Sequence, residues 1–95
     1  NQNALGLNSS YNVGQTYTLT TNVKVRDGAG TNARRKKKNE LTTDGQKNAL
    51  DQKNATLKEG TKVTVQEVKN LNGDIWVKIP SGWIAVKYQG NVYLK

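Results

Sequence analysis

The sequence contains no cysteine and no histidine, and these two absences exclude most of the familiar chemistry of active sites. Without cysteine the chain has no disulfide, no thiolate nucleophile and no cysteine-ligated zinc. Without histidine it lacks the commonest general base and a common zinc ligand. A mechanism that uses only carboxylates or lysine stays open, but the aspartates lie in predicted turns or near a predicted helix end. We therefore expect a protein that is not an enzyme, with no catalytic residue, no metal site and no cofactor.

Phenylalanine and methionine are also absent, and only 34% of the 95 residues are hydrophobic. The core must come from valine, leucine, isoleucine, tryptophan and part of the tyrosine set, which favours a thin β structure in one small domain. No apolar run approaches the roughly 20 residues that a membrane helix needs. The first residues do not resemble a signal peptide. Because the chain begins with Asn1 rather than methionine, we expect a processed product or a domain of a longer protein.

Positive charge is in excess, since 15 Lys and Arg oppose seven Asp and Glu and leave a net charge of +8. Such a protein attracts nucleic acid, anionic lipid or the phosphate-bearing polymers of a bacterial wall, and the sign of the charge does not choose among them. Five cations are consecutive and repel one another, so we expect them to be solvated and to be the polyanion-binding residues. They are Arg34, Arg35, Lys36, Lys37 and Lys38.

Alternation of apolar and polar residues predicts the strands. The last strand is expected to pair with the first and to close a barrel, and a bend is expected near Val68. Tight turns are predicted at Asn72-Gly73 and at Pro80-Ser81-Gly82. The predicted strands cover residues 16–21, 23–26, 62–68, 75–79, 83–86 and 91–95, with a single helical turn in 85–88.

The N-terminal residues 1–15 are rich in Asn, Gln, Ser and Gly. This composition is typical of a linker between domains. The alternative is an N-terminal strap, in which Leu5, Leu7 or Tyr11 packs back on the strands.

A helix-start signal interrupts the strands at residues 41–50. Thr43 is placed as the N-cap, with Gln46 three residues later and an acidic residue in the first turn. Gly45 weakens such a helix by about 1 kcal/mol relative to alanine. We expect two turns at most, ending near Asp51.

Four ordered motifs resemble the bacterial SH3 (SH3b) family. The relevant segments read VKVRDGAGTN at 23–32, LKEGTKVTVQEV at 57–68 and GDIWVKIPSGWIAVKY at 73–88. The family motifs are N-V-R-x-G-x-G-T, G-x-x-V-x-V, W-x-K-V and G-W-V. The chain departs from them by an insertion at 33–56, which holds the basic run and the predicted helix. Matching residues are Val25, Arg26, Gly28, Gly30, Thr31, Gly60, Val63, Val65, Trp76, Lys78, Ile79, Gly82, Trp83 and Ile84.

The resemblance implies an all-β domain over residues 16–95: a small SH3-like barrel of five to seven short strands, with a long inserted loop that carries a short helix. It also implies a module that binds the peptide stem or cross-bridge of peptidoglycan and targets an attached hydrolase, as in phage endolysins and autolysins. Such a domain is monomeric and works at the bacterial wall or outside the cell. An endolysin is made in the host cytoplasm, whereas an autolysin is secreted.

Two other functions stay open. One is a basic small barrel that binds nucleic acid without a recognisable specific signature, and the other is a spacer or regulator docked on a neighbouring domain. If the domain binds the bacterial wall, the basic run is expected to attract teichoic acid. We expect the insertion to carry the specificity that distinguishes this domain.

The turn after the second strand offers the first candidate ligand groups. Thr31 and Asn32 stand beside glycines, where an extended peptide could hydrogen-bond to open backbone. Local turn hydrogen bonding is the alternative for both. Arg26 and Asp27 are expected to pair with each other and to hold the turn.

Aromatic residues offer the second group. Trp76 is predicted to point outward beside Lys78 and to stack on a peptide or sugar, or alternatively to cover the core. Tyr17, Tyr88 and Tyr93 combine an apolar ring with a hydroxyl and suit a shallow groove. The predicted ligand-binding residues are Thr31, Asn32, Trp76, Lys78, Tyr17 and Tyr88.

Overall fold

The computed structural model describes residues 11–50 and 55–94, and eight short strands account for most of the regular secondary structure in this part of the chain. They form three antiparallel sheets, so the prediction of a small all-β fold is confirmed. Within the described residues the sheets do not join into one closed, hydrogen-bonded barrel. The strands are β1 (Thr16–Thr18), β2 (Val23–Lys24), β3 (Thr56–Leu57), β4 (Lys62–Thr64), β5 (Glu67–Leu71), β6 (Asp74–Ile79), β7 (Gly82–Tyr88) and β8 (Asn91–Val92).

The sheets follow an almost sequential order. β1 pairs with β4, β2 pairs with β3, and β5, β6, β7 and β8 form a four-stranded sheet in that order. β4 and β5 are nearly continuous, and the chain changes partner between them. Val65 N donates to Gln15 O at 3.0 Å, and Gln66 N donates to Lys78 O at 2.7 Å. The bend therefore lies at Val65 and Gln66, slightly before the position predicted at Val68.

Two-residue turns connect the four-stranded sheet. Asn72 and Gly73 have φ of 54° and 90°, which suits the tight hairpin predicted from their sequence. The turn at Pro80 and Ser81 is also confirmed, because β6 and β7 pair on either side of it. A third turn, at Gln89-Gly90, was not predicted. The expected helical turn in 85–88 is wrong, since β7 continues to Tyr88 and pairs there with β8.

The two ends of the described chain meet at one point rather than along a ladder. Leu19 bridges Leu94, and Thr20 N donates to Tyr93 O at 2.8 Å. The strand ladder of β1 instead goes to β4, and β8 pairs with β7. The predicted closure by pairing 16–21 with 91–95 is thus reduced to a single bridge, just beyond the ends of β1 and β8.

Residues just before β1 contact the sheets. The Tyr11 hydroxyl donates to Leu94 O at 2.9 Å, and the Tyr11 ring meets the Tyr17 ring edge-on with centroids 5.2 Å apart. Leu5 and Leu7, the other residues of the strap alternative, lie outside the described residues.

The core is aliphatic and lies between the sheets. Burying each valine, leucine or isoleucine side chain of this cluster contributes about 1.5–3 kcal/mol. Neither tryptophan belongs to it. The members are Leu19, Val23, Val25, Leu41, Ala55, Leu57, Val63, Val65, Val77, Ile79, Ile84, Val86 and Leu94.

The insertion packs back onto the sheets. Leu41 enters the core, and Ala49 bridges Leu57 at the edge of β3. Leu50 N donates to Thr56 O at 2.8 Å, while the Leu50 side chain is exposed. The segment therefore covers a strand edge that would otherwise be open.

The described part of the insertion contains a 3₁₀ turn (Lys38–Glu40) and one α-helix, α1 (Thr43–Lys47). The N-cap is Thr42, whose hydroxyl accepts from Gly45 N at 3.0 Å, so the predicted N-cap at Thr43 is wrong by one residue. Gly45 is required by packing, because a Cβ there would collide with Ser81 Oγ. The helix ends at Lys47, and the predicted end near Asp51 falls on residues outside those described.

Candidate functional site

The turn after β2 forms a hairpin-like loop over residues 27–34. Its base is closed by a bridge between Arg26 and Arg35, and Asp27 N donates to Arg34 O at 2.9 Å. The Arg26 guanidinium fills the loop, since Nη1 donates to Thr31 O at 3.0 Å and to Ala33 O at 2.9 Å. A charged donor shared by two carbonyls makes this loop rigid.

The predicted ion pair between Arg26 and Asp27 is wrong. The Asp27 carboxylate accepts from Arg34 Nε at 3.2 Å and from Arg34 N at 3.1 Å. Arg26 points to the loop carbonyls instead. Both residues hold the turn, as expected, but each does so with another partner.

The 27–34 loop is attached to the four-stranded sheet. Arg26 and Trp83 exchange two backbone hydrogen bonds of 2.8 Å. Gly82 permits this approach, because a Cβ on it would lie 2.7 Å from Arg26 O. At the far end, a Cβ on Gly30 would lie 3.5 Å from Leu71 Cδ1. The loop therefore extends along one side of this sheet.

We call that side of the sheet the outer face, and it carries both tryptophans. Trp76 pairs with Ala85, and Lys78 pairs with Trp83, so these side chains share a face opposite the core residue Val77. Lys69 Nζ lies 5.4 Å from the Trp83 ring centroid, a cation–π geometry.

The prediction of an exposed Trp76 indole is wrong. Trp76 is on the outer face as predicted, but it is only 3% exposed, and Trp83 is 8% exposed. The reason is that β2 and the 27–34 loop lie against this face. Alternation along the strand correctly places Trp76 on the outer face, but it does not show that other segments cover that face. Lys78 stays exposed beside it, as predicted.

An open cleft of about 550 Å³ lies where β2, the loop and the outer face meet. Three aromatic side chains contribute to its walls, and two cations border it. Among the described residues that line it, none is acidic. They are Thr21, Asn22, Val23, Lys24, Arg26, Thr31, Thr56, Trp76, Ala85, Tyr88 and Tyr93.

Burial lowers the pKa of the Arg26 guanidinium, and the charge of Arg35 lowers it further, whereas Tyr88 acts in the opposite direction. The guanidinium has thus lost part of its hydration, and it forms no ion pair with any described carboxylate. An anion brought into the cleft would restore what the guanidinium has lost.

Three of the six predicted ligand-binding residues, Thr31, Trp76 and Tyr88, meet in this cleft. Asn32 is exposed on the loop, and Lys78 is exposed on the outer face, but neither lines the cleft.

Tyr17 also lies outside the cleft. Its hydroxyl accepts from Asn12 N at 2.9 Å, and its ring packs against Tyr11. Lys24 and Arg26 were not predicted as ligand-binding residues. The sequence nevertheless indicates that they lie together, because the alternating pattern of residues 23–26 places both side chains on the polar side of the predicted strand.

The basic run does not behave as one solvated block. Arg34 forms paired hydrogen bonds with Glu40, Nη1 to Oε1 at 3.0 Å and Nη2 to Oε2 at 2.9 Å. Lys36 Nζ donates to Ser81 O at 2.9 Å and is half-buried. The expectation that all five are solvated is therefore wrong for Lys36, because its side chain lies against the domain at Ser81, whereas Arg34 is exposed but ion-paired.

The remaining cations of the run, Arg35, Lys37 and Lys38, make no ion pair with any described residue. Lys37 and Lys38, together with Asn39 and Gln46, line a shallow depression of about 380 Å³ beside α1. This is the part of the run that stays available to a polyanion.

Over residues 11–50 and 55–94, no group of three or more His, Cys, Asp or Glu is arranged to hold a metal ion. The same part of the chain contains no helix that is long and apolar enough to cross a membrane. Comparisons with protein-family models, with curated proteins and with solved structures found no match.

Proposed function

We propose that this protein is a non-catalytic module that binds the peptide part of bacterial peptidoglycan and directs an attached wall hydrolase to its substrate. The observation that carries the proposal is the cleft, an open groove with aromatic walls and bordering cations. Its volume of about 550 Å³ lies within the range of about 300–1,000 Å³ that is usual for ligand sites. Aromatic rings with polar neighbours suit a peptide, whose planes stack and whose amides hydrogen-bond.

The motif residues that carry the SH3b resemblance have roles that support this proposal. Val25 and Ile84 are fully buried in the core. Gly82 allows the loop to reach the sheet. Arg26 and Trp76 line the cleft. The motif residues therefore belong both to the buried core and to the lining of the cleft.

Arg35, Lys37 and Lys38 would add an attraction to teichoic acid. Exposed cations raise the association rate with a polyanion and lose their effect as salt is added. On this proposal the protein works as a monomeric domain at the bacterial wall or outside the cell, either as part of a phage endolysin made in the host cytoplasm or as part of a secreted protein.

Co-sedimentation with purified peptidoglycan, with and without teichoic acid, tests the proposal. We expect the folded protein to sediment with both preparations. Lys24→Gln should weaken binding roughly three- to tenfold, since it removes a cation from the cleft. Lys78→Gln is the matched control, an exposed lysine of the outer face that does not line the cleft, and should bind as the parent does. A folded protein that sediments with no Gram-positive wall would exclude the proposal.

Nucleic-acid binding is the second candidate. It is favoured by Arg35, Lys37 and Lys38, three cations that form no ion pair with the residues that the structure describes. A gel shift that persists near 0.15 M salt (~8 Å screening length) would support it, because mere polyanion attraction is largely screened there. We expect any shift to vanish under those conditions. A persistent shift together with failed wall binding would replace the first proposal.

A further inference from the structure

Only one edge of the Arg26 guanidinium forms hydrogen bonds with the described residues. Nη1 spends its two hydrogens on Thr31 O and Ala33 O. An arginine has five N–H donors, and those of Nε and Nη2 form the other edge of its planar fork. Neither Nε nor Nη2 has a hydrogen-bond partner among the described residues. Arg26 itself lines the cleft.

No described acid neutralises this edge. Asp27, the adjacent residue, is committed to Arg34, and Glu40 is held by the same arginine. Lys24 adds a second positive charge to the cleft wall. A half-buried cation without a counter-ion is unfavourable, so the cleft is complementary to a single anionic group.

The fork is also fixed in place before any ligand arrives. The two carbonyl bonds hold one edge, and the backbone of Arg26 is clamped to Trp83 on one side and bridged to Arg35 on the other. An arginine that is already ordered loses little conformational entropy on binding, which increases the affinity of a two-bond contact with a carboxylate.

Resting on the proposed function, we infer that the cleft takes the end of a wall peptide and that the Nε and Nη2 edge of Arg26 binds its C-terminal carboxylate. The preceding peptide units lie against Tyr88 and Tyr93, with the buried Trp76 at the bottom of the cleft. A terminal carboxylate suits a half-buried arginine because a chain end can reach it without a further segment passing over the loop. It also matches the planar fork with two parallel hydrogen bonds.

The experiment compares two synthetic stem tetrapeptides by calorimetric titration of the full chain. In the first, the C-terminal carboxylate is the sole carboxylate; in the second, that group is an amide. We expect the acid to bind at least about tenfold more tightly than the amide, as for a charge-assisted pair. Because the change is made on the ligand, the comparison does not depend on whether a variant folds.

Arg26→Gln is the matching protein variant and should bind acid and amide equally, with near-UV circular dichroism reporting whether the tryptophan environment is kept. Lys24→Gln should weaken the acid but keep its preference over the amide. Equal binding of acid and amide by the parent protein, or binding of neither, overturns the inference. Competition by inorganic phosphate at the same concentration as the acid also overturns it. The proposed function fails separately, when the parent protein does not sediment with walls.

Discussion

The two faces of the four-stranded sheet differ in what covers them, and the difference separates stability from recognition. The inner face contributes Val77, Ile79 and Ile84 to an aliphatic core drawn from every sheet. The outer face carries Trp76 and Trp83, which are buried as deeply but by a loop and a two-residue strand. One face is covered by the aliphatic core, whereas the cover of the other leaves the open cleft of about 550 Å³. Large side chains are thus buried on both faces, and the outer face also borders the proposed ligand site.

The largest effect is expected on the inner face. Ile84→Ala removes a fully buried side chain and should lower the free energy of unfolding by about 2–5 kcal/mol. Lys78→Ala on the outer face should stay within about 0.5 kcal/mol of the parent. Urea denaturation followed by tryptophan fluorescence measures both. Similar losses for the two variants would mean that the faces are not distinct in the way described.

The next effect concerns the junction between loop and sheet. Gly82→Ala should cost about 1–3 kcal/mol, since its φ of 144° is unfavourable for alanine and the new Cβ would press on Arg26 O. Wall binding should fall with it, because the loop wall of the cleft moves.

Gly73→Ala is the matched control for that variant. Gly73 also has a positive φ, 90°, but a Cβ there would meet nothing within 4 Å. It should cost about 1 kcal/mol and leave binding unchanged. If both variants bound alike, the close approach at Gly82 would not organise the cleft.

A smaller effect is expected from the cleft aromatics. Tyr88→Leu keeps an apolar side chain but removes a ring and a hydroxyl from the wall, and should weaken wall binding roughly three- to tenfold. Thermal unfolding should show little change, because Tyr88 is half-buried and outside the core. Val92→Ala, an exposed apolar position on β8, serves as control in the same sedimentation assay. Unchanged binding by Tyr88→Leu would argue against a ligand in the cleft.

The smallest effect is expected at the base of the loop. Hydrogen bonds from Arg34 and from the Lys37 backbone lower the pKa of Glu40 to about 2. A lowered folded-state pKa stabilises the fold above the unfolded value of 4.5, and this stabilisation is lost as the pH falls toward about 2. The melting temperature should therefore fall less steeply over this range in Glu40→Gln than in the parent. Asp44→Asn, which leaves both ion pairs of Arg34 intact, is the control. Parallel curves for parent and Glu40→Gln would contradict the assignment.

The insertion is more structural than its sequence indicates. Leu41 is part of the core and Ala49 bridges Leu57, so removing residues 35–54 would remove packing as well as any specificity. Its role in specificity therefore stays a prediction. Arg35→Gln with Lys37→Gln is a cleaner test than deletion, because neither side chain is paired with a described residue.

Local chemistry alone was enough to predict most of the strands and two of their turns. β3 was not predicted, and the single strand predicted at 62–68 is divided into β4 and β5, which pair in different sheets. Alternation of Val77 and Ile79 with polar neighbours identifies the inner face, and Asn72-Gly73 identifies a hairpin, because both depend on residues adjacent in the chain. Three of the six predicted ligand-binding residues, Thr31, Trp76 and Tyr88, line the cleft. The third turn was missed because Gln89 gives no such signal, although the following Gly90 does.

Composition and short-range pattern specify the fold class, the excess of positive charge and the lack of histidine and cysteine chemistry. The burial of the two tryptophans, the ion pairing of the basic run within the described residues and the position of the cleft depend instead on contacts between segments that are distant in the chain. Lys36 finds Ser81 and Arg26 meets Trp83 only because distant segments are brought together. The physical reason is that burial and ion pairing depend on neighbours in space, which periodicity along the chain does not specify.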